Sequence, residues 1–275
     1  MVLFPNAKIN IGLYVTEKRA DGFHNLETVF YPIGLRDILE INLWAGEGRG
    51  RCDFQTTGIP MDCNPEQNLV VRAYHLLHEA LDLPAVRVHL HKLIPFGAGL
   101  GGGSSDAAFM LKGLNKLCGL GLSDEQLETY AVRLGSDCAF FIRDVPVFAT
   151  GKGEIMEELP LVLKDYTFVL VKPGRGVSTP EAYAGITPKA ASFDLRQLPH
   201  WPVERWAATV SNDFEASVAR KIPEIRHVRQ RLEQLGACYV SMTGSGSAVY
   251  ALFPHPVEVQ FEFPGYYTLT WSEGE

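Results

Sequence analysis

Polar and apolar positions alternate at the start of the chain. Between Phe4 and Val15, Lys8 and Asn10 fall on one face and Ile9 and Ile11 on the other, the period of two that predicts a strand. The same period returns where Val86, Val88 and Leu90 alternate with Arg87, His89 and His91. Shorter apolar runs predict strands over Ile38–Leu43, Arg51–Gln55, Phe168–Val171, Ala248–Phe253 and Tyr266–Trp271. The first two of these, joined across Gly46–Gly50, read as a hairpin. Elsewhere the apolar spacing is helical. Asn68 precedes a stripe of Leu69, Ala73, Leu76, Leu77 and Ala80, and Ala107, Ala108, Leu111, Leu114 and Leu117 form a second. Ser123 to Gln126 is a capping box opening a third helix, through Leu127, Tyr130, Ala131 and Leu134 to a stop at Gly135. Ile225, Val228, Leu232 and Leu235 stripe a fourth that ends at Gly236. The stretch Pro188–Pro202 is rich in proline and polar residues and reads as a surface connection, and Thr150–Glu154 as a structural turn.

One stretch breaks both periods. Ile94-Pro95-Phe96-Gly97-Ala98-Gly99-Leu100-Gly101-Gly102-Gly103-Ser104-Ser105 lies between a predicted strand and a predicted helix, with Asp106 following. Glycine reaches φ > 0 freely and has no Cβ, so five glycines within seven positions let backbone amides close on a bulky anion. Ser104, Ser105 and Asp106 are cap candidates for the helix, whose N-terminus would meet the same anion. A flexible linker is the plain alternative, but linkers are not normally fused to a strand before and a helix after. A P-loop needs a lysine where Ser104 and Ser105 stand. Gly97, Gly99 and Gly102 satisfy the dinucleotide pattern GxGxxG, yet the acidic residue expected about 20 residues on is replaced by the capping box at Ser123.

Composition narrows the class. With 275 residues, 46% hydrophobic and 21% charged, the chain can bury a large core in one or two domains. A net charge of −7 argues against a nucleic-acid surface, so a phosphate must be held by a locally built site. No apolar run reaches the roughly 18 residues that span a bilayer, and Asn6, Lys8 and Asn10 interrupt any signal-peptide core, so the sequence reads as cytoplasmic. Cys52, Cys63, Cys118, Cys138 and Cys238 are odd in number and form no CxxC pair, which suggests neither a disulfide framework nor a zinc site.

Three polar groups outside the loop have chemical potential. Lys8 and Asn10 would project together, although a pair of strand residues facing water has the same pattern. Arg19, Asp21, Gly22, Phe23 and His24 form a polar turn with an aromatic and a histidine, suited to a ring-binding pocket; from its own context His24 equally fits the surface. Gly135-Ser136-Asp137-Cys138-Ala139-Phe140-Phe141 places a carboxylate before an apolar run, where Asp137 is either a turn residue or a reactive group.

The string PFGAGLGGGSSDAA closely resembles the central motif of the GHMP kinases, which include galactokinase, homoserine kinase, mevalonate kinase and phosphomevalonate kinase. The residues around Asp137 match the family motif LGxDxxFF, and Met242-Thr243-Gly244-Ser245-Gly246-Ser247 matches its third motif, which packs near the ATP loop. Pro5, Ala7, Lys8 and Asn10, followed by Arg19, Asp21, Gly22 and His24, resemble the opening of one branch of the family that acts on a cytidine diphosphate alcohol. That branch more often has tyrosine where this chain has Phe23, so stacking on cytosine is kept and the phenol hydroxyl is lost.

The resemblance implies an α+β, two-lobed GHMP kinase fold, with an N-terminal lobe like domain 2 of ribosomal protein S5 and a ferredoxin-like C-terminal lobe. It puts an ATP-binding domain at 1–155 and a substrate-binding domain at 156–275, and leaves the lobe of the Tyr266–Trp271 strand open. It implies ATP and Mg²⁺ as cofactors and a small-molecule acceptor, the 2-hydroxyl of cytidine diphosphate methylerythritol, in the non-mevalonate route to isopentenyl diphosphate. Asp137 would take the hydroxyl proton with Lys8 beside it. The loop from Ile94 to Ser105 would hold ATP, helped by Asn68 and Lys92, with Ser104 or Ser105 near Mg²⁺. Asn10, Phe23, His24, Thr179 and Tyr183 would hold the acceptor. A ligand sensor on the same fold could keep the glycine loop, but it would not need both Lys8 and Asp137.

Overall fold

The computed structural model describes residues 1–46, 48–61, 64–259 and 262–272; Cys63 lies outside them. In chain order the strands are β1 (Val2–Leu3), β2 (Asn6–Lys18), β3 (His24–Arg36), β4 (Ile38–Leu43), β5 (Cys52–Gly58), β6 (Val86–Lys92), β7 (Val147–Thr150), β8 (Ile155–Glu158), β9 (Thr167–Lys172), β10 (Tyr239–Met242), β11 (Val249–Phe253) and β12 (Tyr267–Ser272). The helices are α1 (Leu69–Leu81), α2 (Gly102–Leu117), α3 (Asp124–Leu134), α4 (Phe140–Arg143), α5 (Thr179–Tyr183), α6 (Asp213–Lys221) and α7 (Glu224–Gln234). The chain forms two compact units. The first comprises Met1–Ala7, Leu35–Pro95 and Gly101–Val145, and the second Lys8–Gly34, Phe96–Leu100 and Pro146–Glu275. Most of the β2–β3 pair therefore groups with the C-terminal residues.

In the first unit, a four-stranded sheet has the order β1-β4-β6-β5. The expected hairpin over Ile38–Gln55 does not form: β4 pairs antiparallel with β6, and β5 pairs parallel with β6 on its other side. The reason lies in β6, where Val86, Val88 and Leu90 are all buried and need cover from both neighbours, while β5 is half exposed and suits an edge. Helix α2 packs on this sheet through Gly113, where a Cβ would lie 2.5 Å from Ile41 Cδ1 and 2.7 Å from Leu3 Cδ1. Helix α1 buries Val70, Val71, Ala73, Tyr74 and Leu77, and each large apolar side chain so buried contributes about 1.5–3 kcal/mol.

The second unit carries two sheets, ordered β2-β3-β7-β8 and β10-β11-β9-β12. Val169, Val171, Val249 and Ala251 of the latter are buried with Phe214 and Val218 of α6 and with Val228 and Leu232 of α7. Strand β12 settles the question of the last segment: it pairs antiparallel with β9, and Trp271 stacks on Phe168 at 5.0 Å between ring centroids. The stretch Pro188–Pro202 is not only surface. Residues Leu195–His200 form a 3₁₀ turn in which Leu195 and Leu198 are buried, and Leu195 fills the space over Gly12, where a Cβ would lie 2.5 Å from its Cδ2. Two leucines anchor a segment whose overall composition is polar.

Candidate active site

Within the second unit, the loop segment Phe96–Leu100 is bound by backbone and by Lys8. The Lys8 amide donates to the Leu100 carbonyl at 3.0 Å, and its ammonium donates to Gly99 O at 3.1 Å and Asn10 Oδ1 at 2.7 Å, while lying 5.0 Å from the Phe30 ring centre. Lys8 and Asn10 are both buried, so the surface-pair reading is wrong. Asn10 is a junction: its Nδ2 donates to Thr28 Oγ1, its amide to Thr243 Oγ1, and its carbonyl accepts from Tyr250 OH. The second glycine turn closes on the first. Thr243 Oγ1 donates to Gly99 O at 3.0 Å, and the Ser247 and Ala248 amides donate to the carbonyls of Gly97 and Ala98. A Cβ on Gly99 would sit 2.0 Å from Thr243 O, so only glycine fits there, at φ +75°. Asn212 fixes the turn from behind, donating to Met242 O at 2.7 Å and Gly244 O at 2.9 Å while capping α6 through the Phe214 amide.

The same unit holds the residues expected to bind a ring. The turn before β3 is built by Arg19 and Asp21, 3.1 Å apart, with Gly22 at φ +85°. The Phe23 amide, with the Arg19 guanidinium, holds the Asp21 carboxyl below its usual range. Phe23 is exposed, with the Lys152 ammonium 4.8 Å from its ring centre. His24 stacks on Tyr183 at 4.8 Å and 21°, and Tyr183 meets Phe214 edge-on at 4.8 Å. Thr179 is the first residue of α5, behind a Ser178–Glu181 capping box, and its hydroxyl lies 3.5 Å from Ser245 Oγ. Phe23, His24, Thr179 and Tyr183 thus share one unit with Lys8, Asn10 and half the glycine loop.

The first unit holds the rest of the loop. Helix α2 is not capped by Ser104, Ser105 or Asp106. Gly101, at φ 70°, is its N-cap and the helix starts at Gly102, because the glycine run can turn into the helix without a side chain. Among the described residues no side chain caps these amides, which leaves the first turn open to an anion. Ser104 is half-buried on α2; burial pushes the thiol of Cys138, next to Asp137, up to about 11, against a smaller downward pull from the Ser104 hydroxyl. Asp137 is half-buried in the turn between α3 and α4, with Ser136 Oγ 3.4 Å from its Oδ1. Ser105 is buried, and among the described residues its hydroxyl has no partner. Asn68 caps α1 through the Val70 amide at 2.9 Å; the following residue, Leu69, is 3.9 Å from where a Gly103 Cβ would be.

Lys92 is held beneath the loop. Its ammonium is buried between Asp37 and Asp106 and lies 2.7 Å from Asp106 Oδ2. Asp37, the single residue between β3 and β4, also accepts from the amides of Leu93 at 2.6 Å and Ile94 at 2.8 Å. Asp37 thus accepts from three donors, two backbone amides and the Lys92 ammonium. Asp106 has one oxygen without a partner among the described residues, and burial pushes its carboxyl up to about 8 against the pull of Lys92. A Cβ on Gly102 would lie 3.1 Å from Lys92 Nζ, so the glycine lets α2 start directly above the ion group.

Two family models match the chain, the GHMP kinases N terminal domain over residues 68–152 and the GHMP kinases C terminal domain over 203–263. The chain is 50% identical over 256 residues to the 4-diphosphocytidyl-2-C-methyl-D-erythritol kinase of Parabacteroides distasonis, covering 93% of each. The chain belongs to the GHMP kinase family. A crystal structure of 4-(cytidine 5'-diphospho)-2C-methyl-D-erythritol kinase superposes with a TM-score of 0.73 at 34% identity, over 92% of this chain and 90% of that one. Mevalonate kinase of Methanococcus jannaschii shares the fold, with a TM-score of 0.71 at 13% identity over 98% and 97% of the two chains. This GHMP kinase is therefore an α+β small-molecule kinase, and no described helix is long and apolar enough to cross a membrane.

Sequence reasoning missed two supporting groups of this GHMP kinase. Asp37 and Asp106 are 69 residues apart and share Lys92, and no spacing rule connects them. Asn212 caps α6 locally, but its grip on the Thr243 turn depends on the sheet that carries β10.

Proposed function

We propose that this GHMP kinase transfers the terminal phosphoryl group of ATP to the 2-hydroxyl of 4-diphosphocytidyl-2-C-methyl-D-erythritol, in the non-mevalonate route to isopentenyl diphosphate. The observation that carries the reading is the Lys8 ammonium, buried yet donating to the carbonyl of Gly99 in the glycine loop. A cation kept at that place by Asn10 is preorganised for a transition state whose charge collects on phosphoryl oxygens. The names of relatives half identical to the chain support the choice of acceptor.

Residues 1–155 supply most of the nucleotide site in this reading and residues 156–275 complete the acceptor site. ATP fits the loop, since Gly99 admits no Cβ and the open amides of α2 suit an anion. Ile94 to Ser105 cradle the phosphates. Asn68 lies on the adenine side, and Lys92 supports the loop from its buried ion group. Mg²⁺ takes hard oxygen ligands, and Ser104, which is half-buried, suits it better than fully buried Ser105. Bound there, the ion would neutralise phosphate charge. Asp137 accepts the proton of the acceptor hydroxyl as oxygen attacks phosphorus, and Lys8 steadies the charge that develops. Asn10 orients the acceptor's polyol, Phe23, His24 and Tyr183 hold its cytosine by stacking, and Thr179 contacts the same end.

Incubating the purified protein with Mg-ATP and the cytidine compound should yield ADP and the 2-phosphate in equal amounts. Phosphorylation of mevalonate or homoserine in its place would sink the acceptor assignment and leave the family standing.

A further inference from the structure

We infer that Arg175 is a nucleotide-binding residue, contributing the exposed positive charge of the polyphosphate site. The inference rests on the kinase reading above.

Ser247 is buried and ties two segments of the second unit together. Its amide donates to Gly97 O at 3.2 Å, and its hydroxyl donates to Arg175 O at 2.7 Å. The next residue completes the contact, for a Cβ on Gly176 would lie 3.4 Å from Gly97 O. The backbone at Arg175–Gly176 is thus fastened to the first glycine of the phosphate loop, whose φ of +58° turns the chain there.

The side chain on that anchored backbone is exposed. Among the described residues no carboxylate or carbonyl pairs with its guanidinium. Lys8, already given to the transferring phosphoryl group, and Lys172 are the other cations of the second unit near this place, and neither is exposed. Lys8 is buried on Gly99 O and Asn10 Oδ1, and Lys172 is half-buried with its ammonium on Pro173 O, burial pushing its pKa down. A loop of this type has no P-loop lysine, and the chain as a whole carries a charge of −7, unfavourable to a triphosphate. A guanidinium offers a planar fork of donors to phosphate oxygens and is always charged. Arg175 supplies a second, exposed cation from a segment distant in sequence and held to the loop by Ser247.

The test is nucleotide affinity in Arg175→Ala and Arg175→Lys, measured by calorimetry with Mg-ATP and by steady-state kinetics. The alanine variant should bind ATP about tenfold or more weakly, as for loss of a charged hydrogen bond, and show a raised KM for ATP, with the dissociation constant of the acceptor changed by less than about threefold. The lysine variant should recover part of the affinity, and thermal unfolding should be unchanged because the side chain is exposed. Equal ATP binding by wild type and alanine variant, or a loss confined to the acceptor, overturns the assignment while the kinase reading stands. A wild-type protein that binds no ATP removes the reading beneath it as well.

Discussion

Gly99 and Thr243 touch backbone to backbone: the carbonyl oxygen of Thr243 lies 2.0 Å from the point where a Cβ of residue 99 would be, while the Thr243 hydroxyl donates to the Gly99 carbonyl at 3.0 Å. The two glycine-rich turns, separated by more than 140 residues, are one structural object. Gly99→Ala is therefore expected to cost on the order of 2–5 kcal/mol, from a side chain at positive φ and from the forced separation of the turns. Thermal unfolding would show it as a lowered midpoint, together with a loss of ATP affinity. An alanine variant with wild-type stability and affinity would contradict the contact.

Asp137 is assigned the proton of the acceptor. Asp137→Asn keeps the shape of the side chain and removes its basicity, so kcat should fall by about 10²- to 10⁴-fold. ATP affinity, measured separately by calorimetry, should be close to that of wild type. If turnover stayed within a few-fold, the proton would have to go elsewhere.

His24 and Tyr183 stack on each other within the second unit, and both are proposed to face the cytosine. Replacing His24 by alanine should raise the dissociation constant of the cytidine compound about three- to tenfold, the range of one aromatic pair, and leave ATP affinity alone. Titration of each ligand in turn separates the outcomes, and an effect on ATP only would exclude the pocket.

Asp106 gives a pH signature. Its carboxyl titrates near 3.8 in an unfolded chain and is pushed to about 8 in the folded one, first by burial. The folded protein then keeps a proton that the unfolded chain has released, so this group's contribution to stability declines as pH rises from about 4 to 8. Asp106→Asn carries no titrating group, and it should gain on wild type when urea midpoints at pH 8.5 are compared with those at pH 5.5. A difference that does not change with pH would show that Asp106 is ionised throughout.

Much of this was legible in the sequence, though unevenly. The alternation around Lys8 and Asn10 marked their strand, and Asn68 and Ser123 cap the helices that their side chains announce. Local hydrogen bonds make such features, so local sequence reveals them. The partners of strand β5 were misread because nearness in sequence favours a hairpin, whereas burial of both flanks of β6 decides the pairing. Ser104 and Ser105 looked like caps since their type fits, but glycine at 101 takes the cap position by its backbone alone. The ion group at Lys92 was invisible, because it joins three separate elements and none of its members has a distinctive neighbour.

Asp37 has a further consequence, for the length of the chain. As the only residue between β3 and β4 it must at once continue one strand into the next and present its carboxylate to Leu93, Ile94 and Lys92. One added or deleted residue there would turn the carboxylate away from the entrance of the phosphate loop, however conservative the change in composition. Insertions belong instead at open turns such as Gly119–Gly121, where a Cβ on either glycine meets nothing within 4 Å. The spacing around residue 37 is in this sense part of the proposed nucleotide site, although no atom of it need touch the nucleotide.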